Sequence, residues 1–254
     1  MQLSVMSFNI RYDCDKGTES WESRKQRLVP LVKEVNPDLI GFQEVLPHMY
    51  AYLKEHLTEY DSVGAARDDG KNEGERAAIF FKKDRFKMLE EKTFWLSETP
   101  SVPSLGWDAL CVRICTYAKF LDKKSNKEFI HYNTHLDHIG TTAMHEGAKL
   151  ISKAIFSNKA PAIVTGDFNS GEDSNTYSVM TSDGLCDAKY AAKQTMSYGT
   201  RHDYEIGDEI KNKSPIDYLF FTKNDFEILS YEVLVNGGIG QFTSDHYPVF
   251  VKMH

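Results

Sequence analysis

The residues with the most chemical content in this chain sit at the ends of apolar runs. In Ala162-Ile163-Val164-Thr165-Gly166-Asp167-Phe168-Asn169 an apolar stretch stops abruptly at Gly-Asp-x-Asn, which reads as a buried strand delivering a carboxylate and a carboxamide to its tip. At i and i+2 the two side chains share one side if the extension continues, and the glycine lets a ligand or another backbone come close. Similar polar groups punctuate other strand-like stretches: Asn9, Gln43-Glu44, Asn133-Thr134-His135, Asp217 and Asp245-His246. Carboxylates suit a hard divalent cation and can take a proton from water, while imidazoles and amides donate to developing negative charge. Each has an ordinary structural explanation when taken alone. Gly-Asp-x-Asn fits a strand-ending Asx turn equally well, Asp217 fits a carboxylate meeting backbone donors, and His246 fits a packed edge histidine.

These groups need a scaffold, and the hydrophobic pattern supplies one. Alternation predicts strands over 3–10, 38–43, 60–66, 76–81, 86–96, 112–121, 128–134 and 215–221, with a terminal strand over 242–251. Helices are expected from Trp21, where Leu28, Leu31, Val32 and Val35 share a face, and over 47–57, 141–156 and 174–180. Pro30 should kink the first helix or mark its first turns, and Asn36-Pro37 should end it. The order strand, helix, strand at the N-terminus implies a locally parallel or mixed sheet. Residues up to Ser214 form a long polar excursion before the Asp217 strand.

Composition limits the classes of function. At 254 residues with 41% hydrophobic and 26% charged residues, the chain suits one domain spanning 1–254 with a large core. No repeat, low-complexity tract or long apolar run is present, so membrane insertion is not expected. No secretory signal is visible, and a cytoplasmic location and a monomer are expected, although a leader removed beforehand would leave no trace. Cys14, Cys111, Cys115 and Cys186 are too few for a disulfide framework and read as buried or free thiols. A net charge of −7 argues against holding long duplex DNA by phosphate neutralisation.

Two local features compete for attention. His131, His135 and His138, with three and two residues between them, invite a zinc reading, but the spacing does not put three imidazoles on one side of an extended strand. The loop 67–74, flanked by Arg67 and Arg76, is a surface excursion or a substrate rim. Trp107 is a core plug or a ring on which a base or sugar stacks.

The ordered set Asn9, Gln43-Glu44, Asn133-Thr134-His135, Gly166-Asp167-Phe168-Asn169, Ile216-Asp217-Tyr218 and Ser244-Asp245-His246 resembles the endonuclease/exonuclease/phosphatase (DNase I-like) superfamily across essentially the whole chain. The details Asn-Thr-His-Leu-Asp-His, Trp107-Asp108 and residues 64–70 look most like a bacterial branch nearer the deadenylases and nocturnin than the abasic-site enzymes. The resemblance implies an α+β, four-layer αββα sandwich of two mixed sheets, and a hydrolase of phosphodiesters or phosphomonoesters dependent on Mg²⁺ or Mn²⁺. Glu44 would be the first metal ligand, with Asn9 completing the shell or orienting Glu44 and Asp245 close by. Asp167 would activate water beside Asn169; His246, oriented by Asp217, and His135 would donate to the phosphate. Arg113 matches a phosphate-contacting position, and Arg67, Arg76 and Trp107 are candidates for contacts further out. The expected substrate is a small phosphoester or a short single-stranded nucleic acid. A single-strand 3′ exonuclease resembling the deadenylases, an inactive ligand-binding relative, and a zinc hydrolase using the histidine run stand as alternatives.

Overall fold

The computed structural model describes residues 2–182 and 184–254. The chain runs β1 (Leu3–Asn9), α1 (Trp21–Val35), β2 (Leu39–Val45), α2 (Pro47–His56), β3 (Tyr60–Val63), β4 (Arg76–Lys82), β5 (Phe86–Trp95), β6 (Ile114–Asp122) and β7 (Lys127–His135). It continues through α3 (Thr141–Asn158), β8 (Ala162–Asp167), α4 (Asn175–Thr181), β9 (Leu185–Asp187), α5 (Ala188–Ala191) and β10 (Gln194–Met196). The last elements are α6 (Asp208–Lys211), β11 (Asp217–Thr222), β12 (Ile228–Val233) and β13 (Val249–Met253). Seven strands form one sheet in the order β10-β12-β13-β1-β2-β4-β3, and six form the other in the order β5-β6-β7-β8-β11-β9. β1 pairs parallel with β2 and antiparallel with β13, so the first sheet is mixed as the strand–helix–strand order requires.

Period-2 alternation explains the layering. On β1 and β2, Leu3, Val5 and Leu39 join Phe120, Ile163, Leu219 and Phe221 in a core between the sheets. Met6, Phe8, Ile40 and Phe42 face the other way and pack with Trp21, Leu28 and Val32 of α1 and Met49 and Leu53 of α2. On the second sheet Ile130, Tyr132, Val164 and Phe220 pack against Met144, Ala148, Ile151 and Ile155 of α3. The result is a four-layer αββα sandwich.

Toward the strand ends the same inner faces change from apolar to polar. Gln43 donates through Nε2 to Asn133 Oδ1 at 2.7 Å, Asn133 Nδ2 donates to the Phe42 and Ala78 carbonyls, and Thr165 Oγ1 donates to Asn133 Oδ1 at 3.0 Å. This seam joins the two sheets through fully buried side chains. Gly41 makes it possible, since a Cβ there would overlap Thr165 and Asn133.

Several boundaries differ from the sequence expectation. The terminal strand begins at Val249 rather than 242, because residues 242–248 form a loop whose backbone bonds go elsewhere: Tyr247 N donates to Thr200 O at 2.7 Å and His202 N to Asp245 O at 2.9 Å. The polar excursion before Ser214 contains β9 and β10, three residues each, too short for periodicity to reveal. β12 carries little alternation and was also absent from the sequence reading. The strand after Trp107 starts at Ile114, so Arg113 precedes it. Helix α1 contains Pro30 within its span and ends on Asn36 in a left-handed conformation (φ 52°). The four cysteines are unpaired, and no described helix is long and apolar enough to cross a membrane.

Candidate active site

The polar tips meet because the strand registers align them. In the second sheet His135 is the register partner of Asp167, and Asp167 of Asp217, so three tips lie in one row across β7, β8 and β11. In the first sheet Asn9 is paired with Gln43. Glu44 would point to the helical side by simple alternation. An irregularity in the β2–β4 pairing between Phe42 and Val45, with Glu44 at φ 62°, turns its carboxylate toward the gap between the sheets instead.

Asn9 joins the two sheets at this point. Its Nδ2 donates to Glu44 Oε1 and to Asp167 Oδ2, both at 2.9 Å, while its Oδ1 accepts from Arg11 N at 3.0 Å. Since carboxylates only accept and a backbone N–H only donates, the orientation of the amide is fixed. Asn9 therefore presents N–H groups to the carboxylates, the geometry of an orienting residue. Glu44 Oε2 also accepts from Tyr12 N at 2.8 Å. Residues 10–12 are in turn held by Arg24, a fully buried side chain of α1 whose guanidinium donates to the carbonyls of Ile10, Arg11 and Tyr12.

Asp167 is buried and accepts from Asn169 N at 2.9 Å, so the Asx turn exists together with the clustered site. Asn169 is left-handed (φ 48°), hence the extended geometry does not continue. Its Nδ2 donates to Leu136 O at 3.1 Å and to His135 Nε2 at 3.0 Å. That bond makes Nε2 an acceptor and leaves Nδ1–H as the donor of the His135 ring. Burial, then Arg113 and Arg67, hold His135 well below the usual imidazole range, so the ring is neutral.

His246 is the opposite case. Its Nδ1 is 2.8 Å from Asp217 Oδ2 and its Nε2 is 3.9 Å from Asp167 Oδ2. Burial disfavours the imidazolium, but Asp217 and Asp245 outweigh it and push the ring up to about 10. Burial and the neighbouring Asp217 raise Asp167 to about 7, with His246 pulling the other way. Thr200, from the polar excursion, holds this corner: its Oγ1 accepts from Asp217 N at 3.1 Å and its carbonyl accepts from Tyr247 N.

Around these groups lies a cavity of about 300 Å³. Glu44, His135, Asp167 and Asn169 line it, with Asp245 and His246 on one side and Arg67 and Arg113 on the other. Arg11, Tyr12, Glu75, Cys111, His138 and Arg201 also line it and were not among the sequence candidates. Arg11 was the most readable of them, two residues after Asn9; Arg201 and Glu75 reach the site through loops without periodicity.

Two sequence candidates stand apart from the cavity. Arg76 stacks on Tyr50 with its Cζ 4.7 Å from the ring centroid and donates to Lys71 O, behind the wall that Arg67 and Glu75 form. Trp107 lies in a separate groove along α3 with Leu150, Lys153 and Phe156. His131, part of the histidine run, is fully buried in the seam with its Nε2 2.8 Å from Thr165 Oγ1.

The donor set suits a hard cation. Glu44, His135 and Asp167 each offer an atom within 4.8 Å of the others, and the carboxylates of this group have lone pairs beyond those their protein donors use. Cys111, Asp137 and His138 form another such group, but Asp137 already accepts from the backbone N–H groups of Leu110, Cys111, Ile139 and Gly140 and lies 3.5 Å from Arg113 Nε. Asp137 therefore ties loops together.

The family model for the endonuclease/exonuclease/phosphatase family matches residues 6–246. A solved structure of an endonuclease/exonuclease/phosphatase from Bacteroides vulgatus is 38% identical, with a TM-score of 0.94, the alignment covering 100% of this chain and 99% of that one. The mannosyl-6-phosphatase of Bacteroides thetaiotaomicron is 35% identical, with a TM-score of 0.93 and 99% of each chain covered. The human nocturnin catalytic domain shares the fold at 20% identity and a TM-score of 0.77, covering 100% of this chain and 93% of that one. Against three curated relatives the matches span 60%, 45% and 46% of the relatives' own lengths.

Proposed function

Because this chain belongs to the endonuclease/exonuclease/phosphatase family, whose members are hydrolases of phosphate esters, we propose that it hydrolyses a small phosphomonoester with Mg²⁺ or Mn²⁺. The observation that carries this reading is the cavity itself: about 300 Å³, closed between the sheet tips, with carboxylates, His246 and four guanidinium groups, of Arg11, Arg67, Arg113 and Arg201, around it. That volume suits a phosphate and one small alcohol, and the cationic lining suits a dianion in an otherwise acidic protein. The similarity to a mannosyl-6-phosphatase supports a phosphorylated sugar as the first substrate to try.

Glu44 and Asp167, with Asp245 across the cavity, are the residues that would hold the cation, and Asn9 orients the first two. A bound divalent cation would supply a Lewis acid for charge on phosphoryl oxygens. Asp167, raised to about 7 by burial and Asp217, is tuned to take a proton from water near neutral pH. His246 stays an imidazolium against Asp217 and offers positive charge to the phosphoryl group. Asn169 Nδ2 and the N–H of neutral His135 are further donors beside the same space.

The test offers the protein a hexose 6-phosphate, p-nitrophenyl phosphate, bis-p-nitrophenyl phosphate and a single-stranded oligonucleotide, each with Mg²⁺, with Mn²⁺ and with chelator. Monoester hydrolysis that needs the cation is the expected result. Faster cleavage of the diester or the oligonucleotide would overturn the monoester assignment in favour of a nuclease.

A further inference from the structure

Glu75 is the least explained side chain in the cavity. It precedes β4, is largely buried, and its Oε2 accepts from Arg67 Nη1 at 2.7 Å, while Arg67 N donates to Glu75 O at 3.0 Å. The loop that carries the pair is tied down. Trp95 Nε1 donates to Arg67 O at 2.7 Å, and Asp69 Oδ1 accepts from the N–H groups of Lys71, Asn72 and Glu73. Arg113 completes the wall, with Nη2 3.1 Å from His138 Nδ1. Arg67 and Arg113 each keep a buried Nε without a hydrogen-bond partner. Buried unpaired donors are rare and call for an explanation.

A carboxylate beside guanidinium groups is a poor seat for phosphate, because the like charge of Glu75 opposes it. It is a good seat for hydroxyl groups, which donate to the carboxylate and accept from the guanidinium N–H. It is a poor seat for a nucleobase, which needs an aromatic face. Tyr12 is the one phenol or indole ring lining the cavity, and Trp107 is in another groove. The wall also lies on the departing side. Glu75 shares a recess with Glu44, Arg67, Arg113 and His135, whereas Asp167 is next to His246 and Asp217.

Resting on the phosphomonoesterase reading above, we propose that Arg67, Glu75 and Arg113 form the leaving-group subsite and that it selects hydroxyl-rich alcohols, so that sugar phosphates and not nucleotides are the substrate class. In the hydrolysis, the water oxygen bonds to phosphorus as Asp167 takes its proton. The ester P–O bond then breaks on the opposite side, and the departing alkoxide takes a proton from solvent, giving inorganic phosphate and the free polyol.

The experiment compares kcat/KM for mannose 6-phosphate, 5′-AMP and p-nitrophenyl phosphate in the wild type and in Glu75→Gln, with Arg67→Met as the second variant should Glu75→Gln melt early. The wild type is expected to favour the sugar phosphate over 5′-AMP by about tenfold or more. Each variant is expected to lower the sugar-to-aryl preference by about tenfold, mostly through KM, as loss of a charge-assisted hydrogen bond does. In parallel, mannose 6-phosphate should raise the melting temperature of the chelator-treated wild type and not that of Glu75→Gln. A sugar-to-aryl ratio unchanged within twofold in a folded variant overturns the subsite while leaving the phosphatase reading intact. Absence of turnover on every ester overturns the phosphatase reading, and the melting arm then decides the subsite by itself.

Discussion

Asp217 stands directly opposite Asp167 in the antiparallel register of β8 and β11, so two buried carboxylates share one edge of the cavity. Such a pair resists double ionisation unless a cation intervenes, and His246 is placed to do so, its two ring nitrogens facing one carboxylate each. The three groups form one charge unit.

That unit sets a pH profile. Activity should rise through an apparent value near 7 as Asp167 loses its proton and fall as pH approaches about 10, where His246 loses its charge. Asp217→Asn removes the carboxylate that raises His246, so the alkaline limb should move toward neutrality and activity should fall less than in His246→Ala. If the two substitutions simply multiply in the double variant, the pair does not act as a unit.

Stability without metal follows the same groups with a definite sign. The folded value of His246 lies above its ordinary 6.5, so its contribution is complete below 6.5 and is lost as pH rises through about 10. Asp167 is also raised, from 3.8 to about 7, so here too the folded state binds the extra proton and stability falls as pH rises between those values. Thermal melts in chelator from pH 4 to 8 should show the decline in the wild type and a flatter slope in Asp167→Asn. The same variant should lose on the order of 10²-fold or more in activity while staying folded.

Glu44→Gln should separate metal binding from folding. It keeps the volume and removes one negative charge from a hard-cation site, so the Mg²⁺ or Mn²⁺ concentration giving half-maximal activity should rise sharply. Activity restored by Zn²⁺ alone, with Glu44→Gln behaving as wild type, would falsify the proposed site.

Arg24 gives a test of positioning at a distance. Arg24→Met strands the carbonyls of Ile10, Arg11 and Tyr12 and should cost about 1–3 kcal/mol for each one that finds no water. Because Tyr12 N and Arg11 N hold Glu44 and Asn9, the metal midpoint should rise together with the loss in melting temperature. A lower melting temperature with an unchanged metal midpoint would make Arg24 a purely structural residue.

Charge makes a further prediction about substrate size. At −7, with its arginines gathered in one small cavity, the protein should nick supercoiled plasmid more slowly than it hydrolyses a small phosphoester at physiological salt. Rates measured side by side with Mg²⁺ decide the matter, and faster nicking would return the chain to the nuclease side of its family.

The sequence disclosed the tips better than the walls. Asn9, His135, Asp167 and Asp217 end runs of period-2 alternation, and that period assigns them to the inner faces where they are found. Glu44 was named from its type, although the pairing irregularity that re-aims it leaves no mark in the pattern. Arg201, Thr200 and Glu75 come from segments whose shape is set by side-chain and backbone bonds to distant residues, which local sequence does not encode. Trp107 illustrates the reverse error: a large ring in an apolar loop has the right chemistry for stacking, yet its position was decided by packing along α3.

The seam of Gln43, Asn133 and Thr165 has a consequence in time. Glu44 and Asn9 belong to one sheet, Asp167 and Asp217 to the other, and His246 to the loop that re-enters the first. Until Gln43 finds Asn133 across Gly41, the two halves of the chemistry are on separate surfaces. During refolding, helix and strand signals should therefore recover before hydrolysis does, and the lag between them measures how long the sheets take to find their registry.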